Sequence, residues 1–193
     1  MDVRRFPARR PSPFRAPRLV LAALLCAALA LAAPRPARAT ELNTTKAQML
    51  WNIAKFVQWP EQPAATRGAL VFTILGEDEL AVALTQLLST KTIGGRPVFV
   101  RFVRRAQDAR GSQILYVAQS EAAHMDEVLS AVSGASVLTV ADVPAFAAHG
   151  GMVGFASDGP RVRFEINLGH AERQGLKVSA KLLALARVVD SGP

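Results

Sequence analysis

Apolar runs alternate with amphipathic stretches along this chain, and their periods set out the elements. Leu70-Val71-Phe72-Thr73-Ile74-Leu75 is a near-continuous apolar run rich in β-formers, which predicts a central strand covered on both faces. Gly76-Glu77-Asp78 ends it and opens a helix with the stripe Leu80, Ala83, Leu84, Leu87 and Leu88. After a Gly94-Gly95 turn, Val98, Val100 and Phe102 alternate with Phe99, Arg101 and Val103 in a second strand. Ile114 to Val117 is a third strand and Val137 to Val140 a fourth. Between them, Ser120-Glu121 starts a helix carrying Met125, Val128, Leu129 and Val132; after Asp142 a short helix reaches about Ala148.

Nearer the N-terminus, Asn43-Thr44-Thr45 offers caps for a helix with Met49, Ile53, Phe56 and Val57 on one face, stopped at Trp59-Pro60. Late in the chain, Gly150 to Ala156 and Arg161 to Leu168 form the arms of a hairpin around Ser157-Asp158-Gly159-Pro160. Its second arm alternates without a break. Val162, Phe164, Ile166 and Leu168 point to the core; Arg161, Arg163, Glu165 and Asn167 point the other way. A short helical piece over 169–175 follows, and Ser179 caps a last helix running to Val189. Strands alternating with helices predict an α/β fold: a mainly parallel sheet layered with helices, Rossmann-like in its three layers, with a C-terminal antiparallel hairpin. Right-handed crossovers would set the ends at Gly76, Ser120 and Ala141 along one edge.

Charge changes the picture at the N-terminus. The 193 residues carry a formal +8, but residues 1–39 hold eight Arg against Asp2 alone. The remaining 15 Lys and Arg nearly balance 14 Asp and Glu, so the body of the chain has no basic excess to meet nucleic acid. A basic start, the apolar run Leu19–Ala33, and Ala37-Arg38-Ala39 together predict a secretory signal peptide over residues 1–39, cleaved after Ala39. Residues 40–193 then form a single domain. The one cysteine, Cys26, lies in the leader, so the exported chain has no disulfide and no thiolate ligand.

Candidate chemistry is sparse. The predicted strand ends carry Glu77, Asp78, Glu121 and Asp142 and no glycine-rich phosphate loop; capping is the ordinary role of such acids. His124, His149 and His170 are not spaced as metal ligands, and no nucleophile elbow occurs. No catalytic residue, cofactor or metal is expected. Trp51 falls about 200° from Met49 at 100° per residue and so faces away from the helix stripe, either packing on a loop or anchoring an interface. Trp59 is expected to lid the core, and Lys55 to be a solvated charge. The face Arg161, Arg163, Glu165 and Asn167 is either solvated sheet surface or a recognition surface.

Trp51-Asn52-Ile53-Ala54-Lys55-Phe56-Val57-Gln58-Trp59-Pro60 resembles the opening helix of the YfiR-like family. Gly94-Gly95-Arg96-Pro97-Val98, Ile114 to Glu121, Gly150-Gly151-Met152, Arg161 to Asn167 and Lys181-Leu182-Leu183 continue the likeness in order, from about residue 44 to 188. The resemblance implies a non-catalytic periplasmic regulator acting by protein–protein contact. Its implied partner is the periplasmic part of an inner-membrane GGDEF-type sensor, a diguanylate cyclase restrained so that cyclic di-GMP falls; a homodimer is left open. Trp51, Lys55, Arg161, Arg163, Glu165 and Asn167 are the candidate interface. The chain departs from many relatives at Gly111-Ser112-Gln113, where they carry a cysteine, which puts disulfide-based redox control in doubt here. The alternative readings are a periplasmic small-molecule binder using the strand-end rim, or a hydrolase with scattered residues.

Overall fold

The computed structural model describes residues 35–60, 68–158 and 161–190. The expected leader up to residue 34, residues 61–67 and the Gly159-Pro160 pair of the expected turn lie outside them. The compact unit runs from Arg38 to the C-terminus. Its centre is an eight-stranded sheet built on β2 (Leu70–Leu75), β5 (Ile114–Val117) and β6 (Leu138–Ala141). These three are parallel, and Leu75, Val117 and Ala141 align at their carboxyl ends as the crossover argument predicts. β4 (Arg96–Val103) lies parallel to β2 on its other side, and β3 (Thr92–Ile93) closes that edge through the Gly94-Gly95 turn, where both glycines have positive φ. On the far side, β7 (Val153–Asp158) is parallel to β6, and β8 (Arg161–Asn167) returns antiparallel to it. The predicted hairpin is therefore present, with Phe155 opposite Phe164.

Strand alternation divides the core in two. Phe72, Ile74, Ile114, Tyr116, Leu138 and Val140 join one cluster; Leu75, Leu115, Val117 and Ala141 join the other. The first face is covered by α1 (Arg35–Ala54) and α2 (Glu79–Leu88), with Ala171, Leu176 and Leu182 of the C-terminal segment. The second is covered by α3 (Met125–Ala131), a 3-10 turn at Ala106–Ala109 and the ring of Phe146. This is the expected three-layer α/β arrangement.

Several boundaries differ from the expectation, each for a tertiary reason. α1 runs through Asn43-Thr44-Thr45 instead of starting there. The two threonine hydroxyls donate back to Thr40 and Glu41 carbonyls, and the Asn43 amide donates to Glu79 Oε2 at 2.9 Å. It ends at Ala54, because the chain turns through Lys55 and Phe56 into β1 (Val57–Gln58), which pairs with β9 (Lys177–Val178). Its buried stripe is accordingly Ala47, Leu50, Ile53 and Ala54, while Phe56 is 39% exposed. The helix expected from Ser120 begins as a 3-10 segment over Gln119–His124, where Ser120 Oγ accepts from the Glu77 amide, and becomes α-helical only at Met125. The helix expected after Asp142 is instead a series of turns, with Ala145 at φ 56°. There the Phe146 ring lies where any side chain at Gly151 would collide with it, which accounts for that glycine. Ser179 caps as expected, but its helix, α5 (Ala180–Leu183), is one turn long; α4 (Leu168–Arg173) precedes it. The residues expected to extend α5 form β10 (Arg187–Val189), an edge strand parallel to β8.

Polar groups tie the strand ends together. The Asp78 carboxylate caps α2 by accepting from the Ala81 amide at 2.7 Å. Its other oxygen accepts from Tyr116 Oη at 2.7 Å and from the Gln119 amide at 2.9 Å, so one side chain joins β2, α2 and β5. Burial, then the Asp78 hydrogen bond and the Asp78 and Asp142 charges, pushes the Tyr116 hydroxyl well above its usual range and keeps it protonated. At Gly111-Ser112-Gln113, Ser112 and Gln113 are buried: the Ser112 hydroxyl bonds Thr73 and accepts from Arg101, and Gln113 Oε1 accepts from the Val71 amide.

Two stability predictions follow from these contacts. Asp78→Ala removes a cap and strands a buried hydroxyl, and should cost about 2–4 kcal/mol in urea unfolding. A cycle with Tyr116→Phe should show a coupling of about 1 kcal/mol; additive costs would mean that the bond carries no weight. Phe164→Ala, which opens a cavity opposite Phe155, should lower stability by about 3–5 kcal/mol.

Candidate functional site

Open parallel sheets hold ligands beyond their strand ends, where connections leave to opposite faces. Here that crevice is a groove of about 470 Å³ lined by Gly76, Glu77, Phe102, Arg104, Ser120 and Glu121. The chain itself has filled its anion-binding capacity. The Ala81 and Gln119 amides are taken by Asp78, and the Glu77 amide by Ser120 Oγ. A side chain at Gly76 would run into Ser120 and Glu121, so the floor is already closed by the protein's own atoms. What remains along it is mixed: the Glu77 and Glu121 carboxylates, the Arg104 guanidinium and the exposed Phe102 ring.

A second, larger groove of about 670 Å³ lies where α1 passes the hairpin. Pro144, Ala145, Ala148 and Phe155 make an apolar floor between two ion pairs. Lys46 Nζ sits 2.6 Å from Asp142 Oδ2, with side chains 7% and 28% exposed. Arg187 Nη1 sits 3.2 Å from Glu165 Oε1. Lys46 lies on the buried stripe of α1, four residues before Leu50; a lysine there needs a counter-charge, and Asp142 supplies it. No group of three or more His, Cys, Asp or Glu among the described residues is placed to hold a metal. Burial and then Arg173 hold the His170 imidazole below its usual pKa, which favours the neutral ring.

The third place is the C-terminal end of α1. Trp51 packs partly against the core, and its ring lies under Lys55 Nζ at 3.5 Å from the centroid and Lys91 Nζ at 5.1 Å. Lys55 is one helical turn after Trp51; Lys91 comes from the segment following α2, which lies beside α1. The Trp51 Nε1 is buried without an acceptor among the described residues. Trp59 does lid the core at the foot of α1, donating from Nε1 to the Gln113 carbonyl at 2.9 Å.

The six residues expected at an interface are thus divided. Trp51 and Lys55 belong to the α1 end; Arg161 and Arg163 are exposed on the hairpin. Two need correction as surface residues. Asn167 is 1% exposed: its amide donates to the Ala147 carbonyl and its oxygen caps α4 through the His170 amide. Glu165 is 12% exposed and paired with Arg187. β10 and the 142–150 turns cover this end of the strand, so the face is solvated only at its beginning. Sequence reasoning missed Lys46, whose signal was a charge on an apolar stripe, and Lys91, which nothing local to Trp51 announces.

Comparison with known proteins agrees with this fold. A solved structure of a conserved domain protein from Vibrio cholerae O1 biovar El Tor str. N16961 matches with a TM-score of 0.53 at 14% identity, over 76% of this chain and 59% of that one. The chain therefore spans 59% of that structure's length, and the likeness is one of fold. The ABC domain in complex with L-Trp from Streptococcus pneumonia matches with a TM-score of 0.45 at 12% identity, over 62% of this chain and 55% of that one. The YfiR/HmsC-like family, DUF4154, matches residues 43–187, from the interior of α1 to the start of β10. With that much of its length matched, the chain belongs to the YfiR/HmsC-like family.

Proposed function

We propose that this protein is a non-catalytic regulator of the periplasm that binds and restrains the periplasmic part of a membrane-anchored, GGDEF-type diguanylate cyclase. The observation that carries the reading is the family match over residues 43–187. The geometry is compatible with it in two ways. At the strand ends the Asp78 carboxylate already takes the Ala81 and Gln119 amides, so these donors are not available to a ligand's anionic group. Exposed charged groups lie on two outer surfaces, Lys55 beside the half-buried Trp51 at the end of α1 and Arg161 and Arg163 at the start of β8. No described helix is long and apolar enough to cross a membrane. Export by the residue 1–39 signal, cut after Ala39, would leave α1 its buried stripe from Ala47 onward.

Deletion of the gene should raise cellular cyclic di-GMP, and the protein cross-linked in the periplasm should bring down a membrane cyclase. Unchanged cyclic di-GMP together with no cyclase recovered would overturn the reading. Lys55→Glu combined with Arg163→Glu should weaken partner binding at least about tenfold, roughly 1.4 kcal/mol, while circular dichroism stays native. Full partner affinity in that variant would remove both surfaces from the interface.

A further inference from the structure

We propose that the end of the domain formed by Trp51, Lys55, Lys91 and Arg96 is a binding site for an acidic, carboxylate-bearing peptide segment of a protein partner. Lys55 and Arg96 line a pocket of about 330 Å³ together with Gln58, Trp59 and Gly94. No acidic residue among the described residues lines it. Lys91 lies near as well: both lysines sit over the Trp51 ring, so their ammonium groups can be no farther apart than their two centroid distances combined. Neither lysine has a carboxylate partner among the described residues. Like charges gathered without a counter-ion repel, and a carboxylate between them converts that repulsion into attraction.

The unmet hydrogen bonds point to the same place. Buried polar atoms in folded proteins are nearly always paired. Three buried side-chain atoms lack a partner among the described residues, and two of them, Trp51 Nε1 and Arg96 Nε, are donors at this end. The Arg96 guanidinium is held in place by its Nη2 donating to the Ala69 carbonyl at 2.6 Å, which leaves the rest of the fork for an acceptor. Access is open beside it. A side chain at Gly94 or Gly95 would meet nothing within 4 Å, so an incoming backbone can approach the turn closely.

A peptide fits better than a lipid surface. Adsorption to anionic membranes is the property of clusters of roughly 4–8 Lys and Arg on an exposed face. Here two cations, Lys55 and Arg96, line a concavity with an aromatic wall at Trp59, and Lys91 stands near it over Trp51, which suits a single extended chain with carboxylates and an apolar contact. The inference rests on the regulatory reading only for the partner's identity; the ligand chemistry stands on the pocket alone.

The test is fluorescence anisotropy of the purified protein with a fluorescein-labelled peptide of alternating Glu and Gly, beside the same peptide with Gln for Glu. The Glu peptide should bind, weaken as salt rises and shift the tryptophan emission; the Gln peptide should not bind. Lys55→Gln with Lys91→Gln should weaken binding at least about tenfold, whereas Lys181→Gln, an exposed lysine on α5, should leave it unchanged. Trp51→Phe should reduce the emission change and leave the part that comes from Trp59 at the pocket wall. Where the double variant melts early, Lys91→Gln alone should still weaken binding severalfold. Equal binding of both peptides, undiminished binding by the lysine variants, or binding only to phosphatidylglycerol vesicles would each overturn the proposal. Peptide binding lost with the deletion phenotype intact sinks this pocket only; the reverse result sinks the cyclase reading only.

Discussion

Burial of the middle strands on both faces is the constraint from which the rest of this structure follows. Ile114 and Tyr116 of β5 enter one core cluster and Leu115 and Val117 the other, and all four are fully buried. A strand without a wet face requires a layer on each side, and parallel neighbours require crossovers to supply those layers. α1 and α2 fill one side; α3 and the Phe146 turn fill the other. The constraint also generates the polar rim. Tyr116 brings a hydroxyl into the core, and a buried hydroxyl without a partner costs about 1–3 kcal/mol. Asp78 meets it from the carboxyl end of β2, and in doing so spends the groups that an open α/β crevice would otherwise offer a ligand. The burial of Tyr116 and the capping of the strand ends are thus one arrangement.

What could be read from the residues was whatever depends on near neighbours in sequence. The Leu70–Leu75 run, the Ile114–Val117 run and the Phe164/Ile166 alternation carry their own period, and each became the expected strand. So did the Asp78 and Ser179 caps, whose partners lie three residues on. The misplacements occur where a distant segment decides. Phe56 and Val57 continue a helical stripe, yet pairing with Val178 turns Val57 into a strand and leaves Phe56 outside. Residues 187–189 extend an apolar helical pattern, yet the open edge of β8 captures them. Hydrogen-bond pairing across 22 residues outweighs a propensity difference of a few tenths of a kcal/mol per residue.

The same distinction governs the candidate site. Trp51 and Lys55 were visible because they are one helical turn apart. Lys91 and Arg96 arrive from the end of α2 and the β3–β4 turn, and only the packing of α2 beside α1 brings them there. Asn167 and Glu165 erred in the opposite direction. A period of two says which residues share a face, not how far along the strand that face stays wet. Toward its end β8 is roofed by the turns after β6 and flanked by β10, so its last polar residues serve the fold.

Charge placement then separates structural groups from those left for a partner. Lys46 is buried, and its pairing with Asp142 offsets a desolvation cost that would otherwise expel it; that pair is explained by folding. Lys55 and Lys91 are not explained in this way. A cation on a half-buried indole gains about 0.5–1 kcal/mol, and two ammonium groups several ångströms apart in water give back about 0.5–1 kcal/mol. The arrangement is close to neutral for the folded state, while the Trp51 and Arg96 donors left unpaired beside it are a net cost. Among the described residues, the unmet donors of Trp51 and Arg96 lie at the end that carries Lys55 and Lys91, and that end is where the proposed acidic peptide would supply both the hydrogen bonds and the counter-charge.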